Sequence, residues 1–266
     1  MQNVASRSAT ADILSSFKRY PLAGMLGWQD VRQRYRRSAV GPFWLTISMG
    51  VMIGTIGLVF GHIFKSPMHD FLPFLAAGMI LWGLVSSIIN EGCTGFIAAE
   101  GIIKQLPIPL YVHILRLLWR NLLIFAHNLV IFPLVLLAVG RPLNLIAFVS
   151  IPGLALILVN MMWVALILAV ICARYRDLPQ IVGSLLQVLY FLTPIMWLPH
   201  TLAPGLQSYL LDFNPFFHLF ELFRAPLLGE LPTSMNWIVS AGMAIVGWAA
   251  ALFIFGRYKA RIAYWV

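Results

Sequence analysis

Arg32-Gln33-Arg34-Tyr35-Arg36-Arg37-Ser38-Ala39-Val40-Gly41-Pro42-Phe43-Trp44 is the stretch on which the fold turns. A dense cationic run stops at Arg37, and the residues after it are apolar for the length, about 20 residues, that a membrane helix needs. The junction reads as a cytoplasmic membrane surface followed by a first transmembrane helix, because lysine and arginine are retained on the cytoplasmic side. Read alone, the run is a topological anchor. Its alternative reading is a jointed segment at which a polar, anionic molecule arrives, and the rest of the chain decides between the two.

Composition supports the membrane reading. Of the 266 residues, 61% are hydrophobic and only 10% charged, whereas soluble domains hold roughly 45–50% apolar and about 25% charged residues. Long apolar runs point to helices, so the expected fold is an all-α integral membrane protein rather than a barrel. The net charge of +9 is spread over the links between apolar runs. That distribution suits topology and anionic lipid headgroups, not nucleic acid. The first forty residues lack a short apolar core ending in a small-residue cleavage site, so no signal peptide is expected. Cys93 and Cys172 fall at helix ends on the cytoplasmic side and are expected to stay reduced.

Outward from the opening stretch, residues 1–12 read as a loose tail, and Pro21 splits residues 13–35 into two pieces. In the second piece Met25, Trp28, Val31 and Tyr35 recur at helical spacing, with Asp30 four residues before Arg34. A basic helix with Trp and Tyr on its apolar side lies in the membrane interface. Residues 1–38 are therefore a cytoplasmic tail with an interface helix, and residues 39–266 a transmembrane domain. Six spans are expected, at about 40–64, 71–93, 117–139, 145–172, 179–198 and 237–255. The loop 96–112 carries Glu100, Lys104 and the Pro107-Ile108-Pro109 break. Residues 199–235 are too interrupted to span and too apolar to be solvated, and Asn214-Pro215 divides them. Such segments dip partway into the bilayer or cap a cavity. A short basic tail with Arg257, Lys259 and Arg261 closes the chain.

The Lys and Arg distribution tests the orientation. Seven lie in residues 1–37, three in 94–120, two in 173–178 and three in 257–266, against Lys65, Arg141 and Arg224 outside. Fifteen against three places both termini in the cytoplasm.

Four stretches, in order, carry a family resemblance. They are Gln33-Arg34-Tyr35-Arg36-Arg37-Ser38 with Gly41-Pro42-Phe43-Trp44, then Ile103-Lys104-Gln105-Leu106-Pro107, then Arg174-Tyr175-Arg176-Asp177-Leu178. The fourth is Phe191-Leu192-Thr193-Pro194-Ile195 with Asn214-Pro215-Phe216-Phe217-His218. Nearly the whole chain resembles the permease subunit of ABC-2 type polysaccharide exporters, the O-antigen type above the capsule and teichoic acid types. The resemblance implies a non-enzymatic half-transporter in the bacterial inner membrane. Two copies form the pore, and two copies of a separate nucleotide-binding subunit hydrolyse ATP. ATP and Mg then belong to the partner, and no cofactor is expected on this chain, which has no Gly-rich phosphate loop ending in Lys-Ser/Thr. It further implies a lipid-linked polysaccharide substrate, undecaprenyl-pyrophosphate-linked O-antigen for the favoured type, and a coupling helix in the 96–112 loop. Paired re-entrant helices are implied for 199–235.

Candidate site residues follow from the chemistry of such a cargo. A pyrophosphate head is met by arginine, whose guanidinium pairs bidentately with phosphate, so Arg32, Arg34, Arg36 and Arg37 are the loading candidates. Sugar C–H faces pack on aromatic rings. Trp44, Trp82, Trp119, Trp163, Tyr190, Phe191 and Trp197 are the path candidates, although belt residues also fall at span ends. Glu100, Ile103, Lys104, Gln105 and Leu106 form the candidate coupling segment. Glu91 and His127 are ionisable groups within spans and become possible gate residues. The six histidines show no spacing that sets two on one helix face, so no metal site is expected. A membrane-embedded glycosyl- or acyltransferase would need a carboxylate pair, a His-Asp set or an acidic metal motif, and the nine acidic residues form no obvious pair. A channel or small-solute carrier would show duplicated halves or charged rings, and neither is visible.

Overall fold

The last of the long helices and the first of the short ones meet at one end of the molecule, and that meeting organises the candidate site. The computed structural model describes residues 8–36, 41, 43–63, 66–199 and 204–266, without the side chains of 34, 35, 204 and 206–208. The helices are α1 (Ala9–Lys18), α2 (Tyr20–Tyr35), α3 (Phe43–Ile63), α4 (Met68–Thr94), α5 (Glu100–Gln105) and α6 (Tyr111–Leu129). They continue with α7 (Ile131–Val139), α8 (Ser150–Arg174, after a 3-10 turn at Leu145–Val149), α9 (Leu178–Leu192), α10 (Pro204–Asp212), α11 (Pro215–Leu227) and α12 (Ser234–Trp265). The protein is all-α and membrane-spanning. Among the described residues, five helical stretches are long and apolar enough to cross a bilayer.

The boundaries differ from the sequence expectation where capping and proline chemistry intervene. Residues 9–12 belong to a helix rather than a loose tail, because the Ser8 hydroxyl caps α1 by accepting from the Ala11 amide at 3.2 Å. The break before α2 falls at Arg19, and Pro21 occupies the first turn of α2, where its missing N–H costs nothing. The third span begins at Tyr111, not near 117, and Pro133, which cannot donate an amide hydrogen, accompanies its division into α6 and α7. The expected span 179–198 is the 15-residue α9, about 22 Å long at 1.5 Å per residue and short of a hydrocarbon core of about 30 Å. It stops because Thr193, ahead of Pro194, turns extended at φ −87°, ψ 134°. Conversely, the basic tail after Phe255 is not separate: α12 runs 32 residues, to Trp265.

The most deeply buried helix is α4, which packs against α3, α6, α7, α8, α9 and α11. Its Phe71, Leu75, Leu81, Val85 and Ile88 are fully enclosed. Close approach is made possible by small residues: a Cβ on Gly92 would sit 3.0 Å from Ala165 Cα, and one on Gly153 would collide with the Leu222 carbonyl. Cys93 and Cys172 are buried free thiols that face each other between α4 and α8. Before α3, Gly41 turns the chain at φ +62°, a left-handed conformation that suits glycine. Pro42, the other half of the expected joint, lies outside the described residues.

Candidate functional site

At the end of the bundle shared by α1, α2, α5, the start of α6 and the close of α12, charged residues tie the elements together. Helix α2 crosses α6 so closely that a Cβ on Gly27 would lie 2.9 Å from the Arg116 carbonyl. Three residues later Asp30 accepts two bonds from Arg116, one of them Nε to Oδ2 at 2.7 Å, and a third from Arg120 Nη1 at 3.1 Å. Arg120 Nη2 reaches on to Glu91 Oε2 on α4 at 2.6 Å, and the Asn121 amide donates to the same oxygen. Asp30 thus gives its carboxylate to a span; the pairing with Arg34 expected four residues on involves a side chain outside the described residues. This strap holds α2 against the bundle and passes through Glu91, one of the two gate candidates.

The strap leaves other cations of the interface helix outward. Arg32 and Arg36 are exposed, while Arg37 and the Arg34 side chain lie outside the described residues. Tyr20, Met25 and Trp28 on the same helix are also exposed and, with Trp119 and Leu122 of α6, line an apolar groove of about 660 Å³. Trp119 therefore belongs to the interface-helix groove.

Three of the path aromatics converge. The rings of Trp82 of α4 and Tyr190 of α9 meet at a tilt with centroids 5.4 Å apart, and Phe191 meets Tyr190 edge-on at 5.5 Å. They line an open cavity of about 720 Å³ between α3, α4 and α9, shared with Ser86, Asn90, Gln187 and Met49. The Tyr190 hydroxyl is buried and makes no hydrogen bond among the described residues. Apolar faces beside amide and hydroxyl groups suit a sugar, which offers both C–H and O–H surface. Trp44 stands exposed at the start of α3. Trp163 lies elsewhere, on α8, where its indole donates to Asn160 at 3.1 Å. Trp197 donates to the Phe191 carbonyl at 2.9 Å from beyond the end of α9. His127, on α6, bonds Leu123 O through Nδ1 at 2.7 Å and meets the Phe43 ring edge-on.

Helix α5 is a six-residue, largely exposed helix stiffened by its own ion pair, Lys104 Nζ to Glu100 Oε1 at 2.6 Å. Hydrogen bonding and charge from Lys104 hold the Glu100 carboxyl below the usual carboxylate range. Gln105 and Leu106 are exposed and Ile103 is half-buried. Pro107 and Pro109 then deliver the chain to α6.

At the opposite end, the Asn214-Pro215-Phe216-Phe217-His218 motif is a capped turn. Asn214 accepts from the Phe216 amide at 2.9 Å and donates to Thr193 Oγ1 at 3.1 Å, joining α11 to the Thr193-Pro194 turn. His218 bonds Asn236 Oδ1 and Asp212 O at 2.8 and 2.9 Å. Arg224, 0% exposed, pairs with Glu221, donates to the Pro194 carbonyl and lies 4.0 Å over the Phe74 ring. In sequence Arg224 reads as a loop cation, and Asp12, Arg116, Arg120 and Asn121 do not stand out. Their only signal is a charge or amide at the end of an apolar run. No group of three or more metal-ligating side chains is assembled among the described residues.

Residues 22–228 match the ABC-2 type transporter family. Among curated proteins, two polysialic acid transport proteins KpsM of Escherichia coli are 26% and 24% identical over 204 residues, 75% of this chain and 78% of theirs. The O-antigen export system permease protein RfbA of Myxococcus xanthus is 24% identical over 240 residues, 88% of this chain and 91% of its own.

Proposed function

The chain belongs to the ABC-2 type transporter family, and from that premise we propose that it is the permease subunit of a polysaccharide exporter. Two copies form the pore in the bacterial inner membrane, with both termini in the cytoplasm, and two copies of an ATP-hydrolysing subunit drive it. The cargo is a glycan on a polyprenyl pyrophosphate, of O-antigen type, moved from cytoplasm to periplasm. The relative covered over the greater share of this chain bears an O-antigen export name. The observation that carries the reading is the strapped interface helix. Asp30 is spent on Arg116 and Arg120, so Arg32 and Arg36 face outward with no carboxylate partner among the described residues. Outward guanidinium groups at headgroup depth suit a pyrophosphate.

In the rest of the reading, the α3–α4–α9 cavity receives sugar, α5 takes the stroke of the ATPase, and α10 and α11 form the re-entrant pair. Glu91 acts through the strap. A capsule-type cargo is the second reading, supported by the two polysialic acid transport relatives. The test removes this gene and its ATP-binding partner separately and locates the lipid-linked glycan. Accumulation in the cytoplasm of both strains is expected, and the accumulated polymer's composition separates the two cargoes. Normal surface glycan in either strain refutes export. Complementation with Arg32→Ala plus Arg36→Ala should insert normally yet export about tenfold less, given about 1.5–3 kcal/mol for a hydrogen bond to a charged group.

A further inference from the structure

The segment 257–266 reads in sequence as a basic tail, yet the structure builds three separate attachments onto it. The first is a buried ion pair. Lys259 Nζ lies 2.9 Å from Asp12 Oδ2, with the two side chains 3% and 0% exposed. The same Asp12 carboxylate accepts the amides of Tyr111 at 3.1 Å and Leu110 at 3.4 Å, so it caps the start of α6 from 99 residues away. The second attachment is the turn between α8 and α9. Arg176 donates to the Trp265 carbonyl at 3.0 Å, and the Arg174 guanidinium sits 5.4 Å from the Trp265 ring centre. The third is a mixed groove of about 360 Å³ whose walls are Ile103 to Ile108 on one side and Lys259, Ala260 and Ala263 on the other.

A buried ion pair contributes little net stability compared with an apolar pair of the same size. What it specifies is geometry, because the buried Asp12 carboxylate needs Lys259 and the two amides together in one place. Here that place is where the end of the α5 loop, the N-terminal helix and the C-terminal helix converge. Pro107 and Pro109 stiffen the path from α5 to the capped amides, and the groove leaves α5 room to shift against α12 without breaking the joint.

We propose that residues 257–266 are a transmission hub, pinned by Asp12 and Lys259, through which the loops 94–110 and 174–178 and the N-terminal helix α1 move together. The proposal rests on the reading of the chain as an ATP-driven permease. Asp12 and Lys259 are positioning residues that touch neither nucleotide nor cargo.

The test uses the complex with its ATPase subunit, purified into vesicles of bacterial phospholipid for ATP hydrolysis, and the gene-deletion strain complemented for surface glycan. Lys259→Met keeps the apolar stem and removes the charge. Its expected result is ATP hydrolysis near wild type with surface glycan down about tenfold, a coupling loss of ordinary size between distant sites. Lys259→Arg, which keeps the charge, should restore export. Wild-type export by Lys259→Met overturns the proposal. So does a parallel fall in both activities that Lys259→Arg does not mend. Amide exchange on the wild-type complex with and without ATP gives a measure independent of variants: protection in residues 9–18, 94–110 and 257–266 should change together. A response confined to 94–110 overturns the hub. A wild-type complex that hydrolyses no ATP speaks instead against the permease reading.

Discussion

Asp30→Asn is the perturbation that reads the interface strap most directly. Asparagine preserves the shape of the side chain but removes the charge, and its amide nitrogen would face a guanidinium. The structure sets the size of the loss. Asp30 is 12% exposed and Arg116 and Arg120 are 23% and 22% exposed, between a surface pair worth about 0–1 kcal/mol and a fully buried pair whose breakage costs about 3–5 kcal/mol. Arg120 keeps Glu91, so Arg116 bears most of the damage. The expected loss is therefore about 2 kcal/mol, or roughly 4–8 °C in the midpoint of thermal unfolding for a chain of this size. The assay is a double-mutant cycle in detergent with Asp30→Asn, Arg116→Met and both, read by thermal unfolding and by tryptic cleavage after Arg32 and Arg36. A coupling of about 1.5 kcal/mol and faster cleavage in each single variant are expected. Coupling below about 0.5 kcal/mol, the usual error of additivity, with unchanged cleavage would refute the strap.

Two other predictions address the far end and the cavity. Arg224→Met should destabilise the protein by about 3–5 kcal/mol, because Glu221 and the Pro194 carbonyl lose a fully buried partner. Reduced accumulation in membranes checks it, and accumulation at the wild-type level would show that the arginine is dispensable to the α11 packing. Tyr190→Phe leaves the tilted ring contact with Trp82 intact and removes only a hydroxyl that has no hydrogen-bond partner among the described residues. Stability should not fall, whereas export should drop about fivefold if a sugar hydroxyl takes that bond, worth about 0.5–1.5 kcal/mol. Equal export by both proteins would remove Tyr190 from the path.

The apolar runs made most of the architecture legible, since length and polarity alone identify a membrane helix. What they could not convey was where helices stop for local reasons. The shortness of α9 depends on one X-Pro dipeptide, Thr193-Pro194, inside an apolar stretch that hydropathy reads as continuous. Beyond Phe255, α12 runs on with Lys259 buried against Asp12, and nothing in a run of Arg, Lys and Tyr shows that one cation points inward. Individual site residues were legible by type. Their partners were not, because spacing rules see neighbours four residues apart, while Asp30 meets Arg116 across 86 residues of chain.

That difference changes the meaning of the cation count. By sequence, fifteen of the eighteen basic residues fall on one side, and all count equally toward orientation. The structure divides them. Arg116 and Arg120 are bound to Asp30 and Glu91, Lys104 to Glu100, and Lys259 to Asp12. These four act as fasteners, and their charge is balanced within the protein. Arg224, counted on the other side, is buried beside Glu221 and measures no topology either. Among the described residues, the exposed cations outside these pairs are a smaller set, at α1, α2 and their ends (Lys18, Arg19, Arg32, Arg36), in the α8–α9 turn and at the close of α12 (Arg257, Arg261). Carboxylates hold the fasteners in place, and the interface helix presents Arg32 and, at its end, Arg36 at the surface. Arg32 and Arg36 of the opening stretch are thus the exposed part of a charge arrangement whose Asp30 strap fixes how that helix sits, which is why the two parts make separable predictions: strap variants change stability, and surface arginine variants change transport.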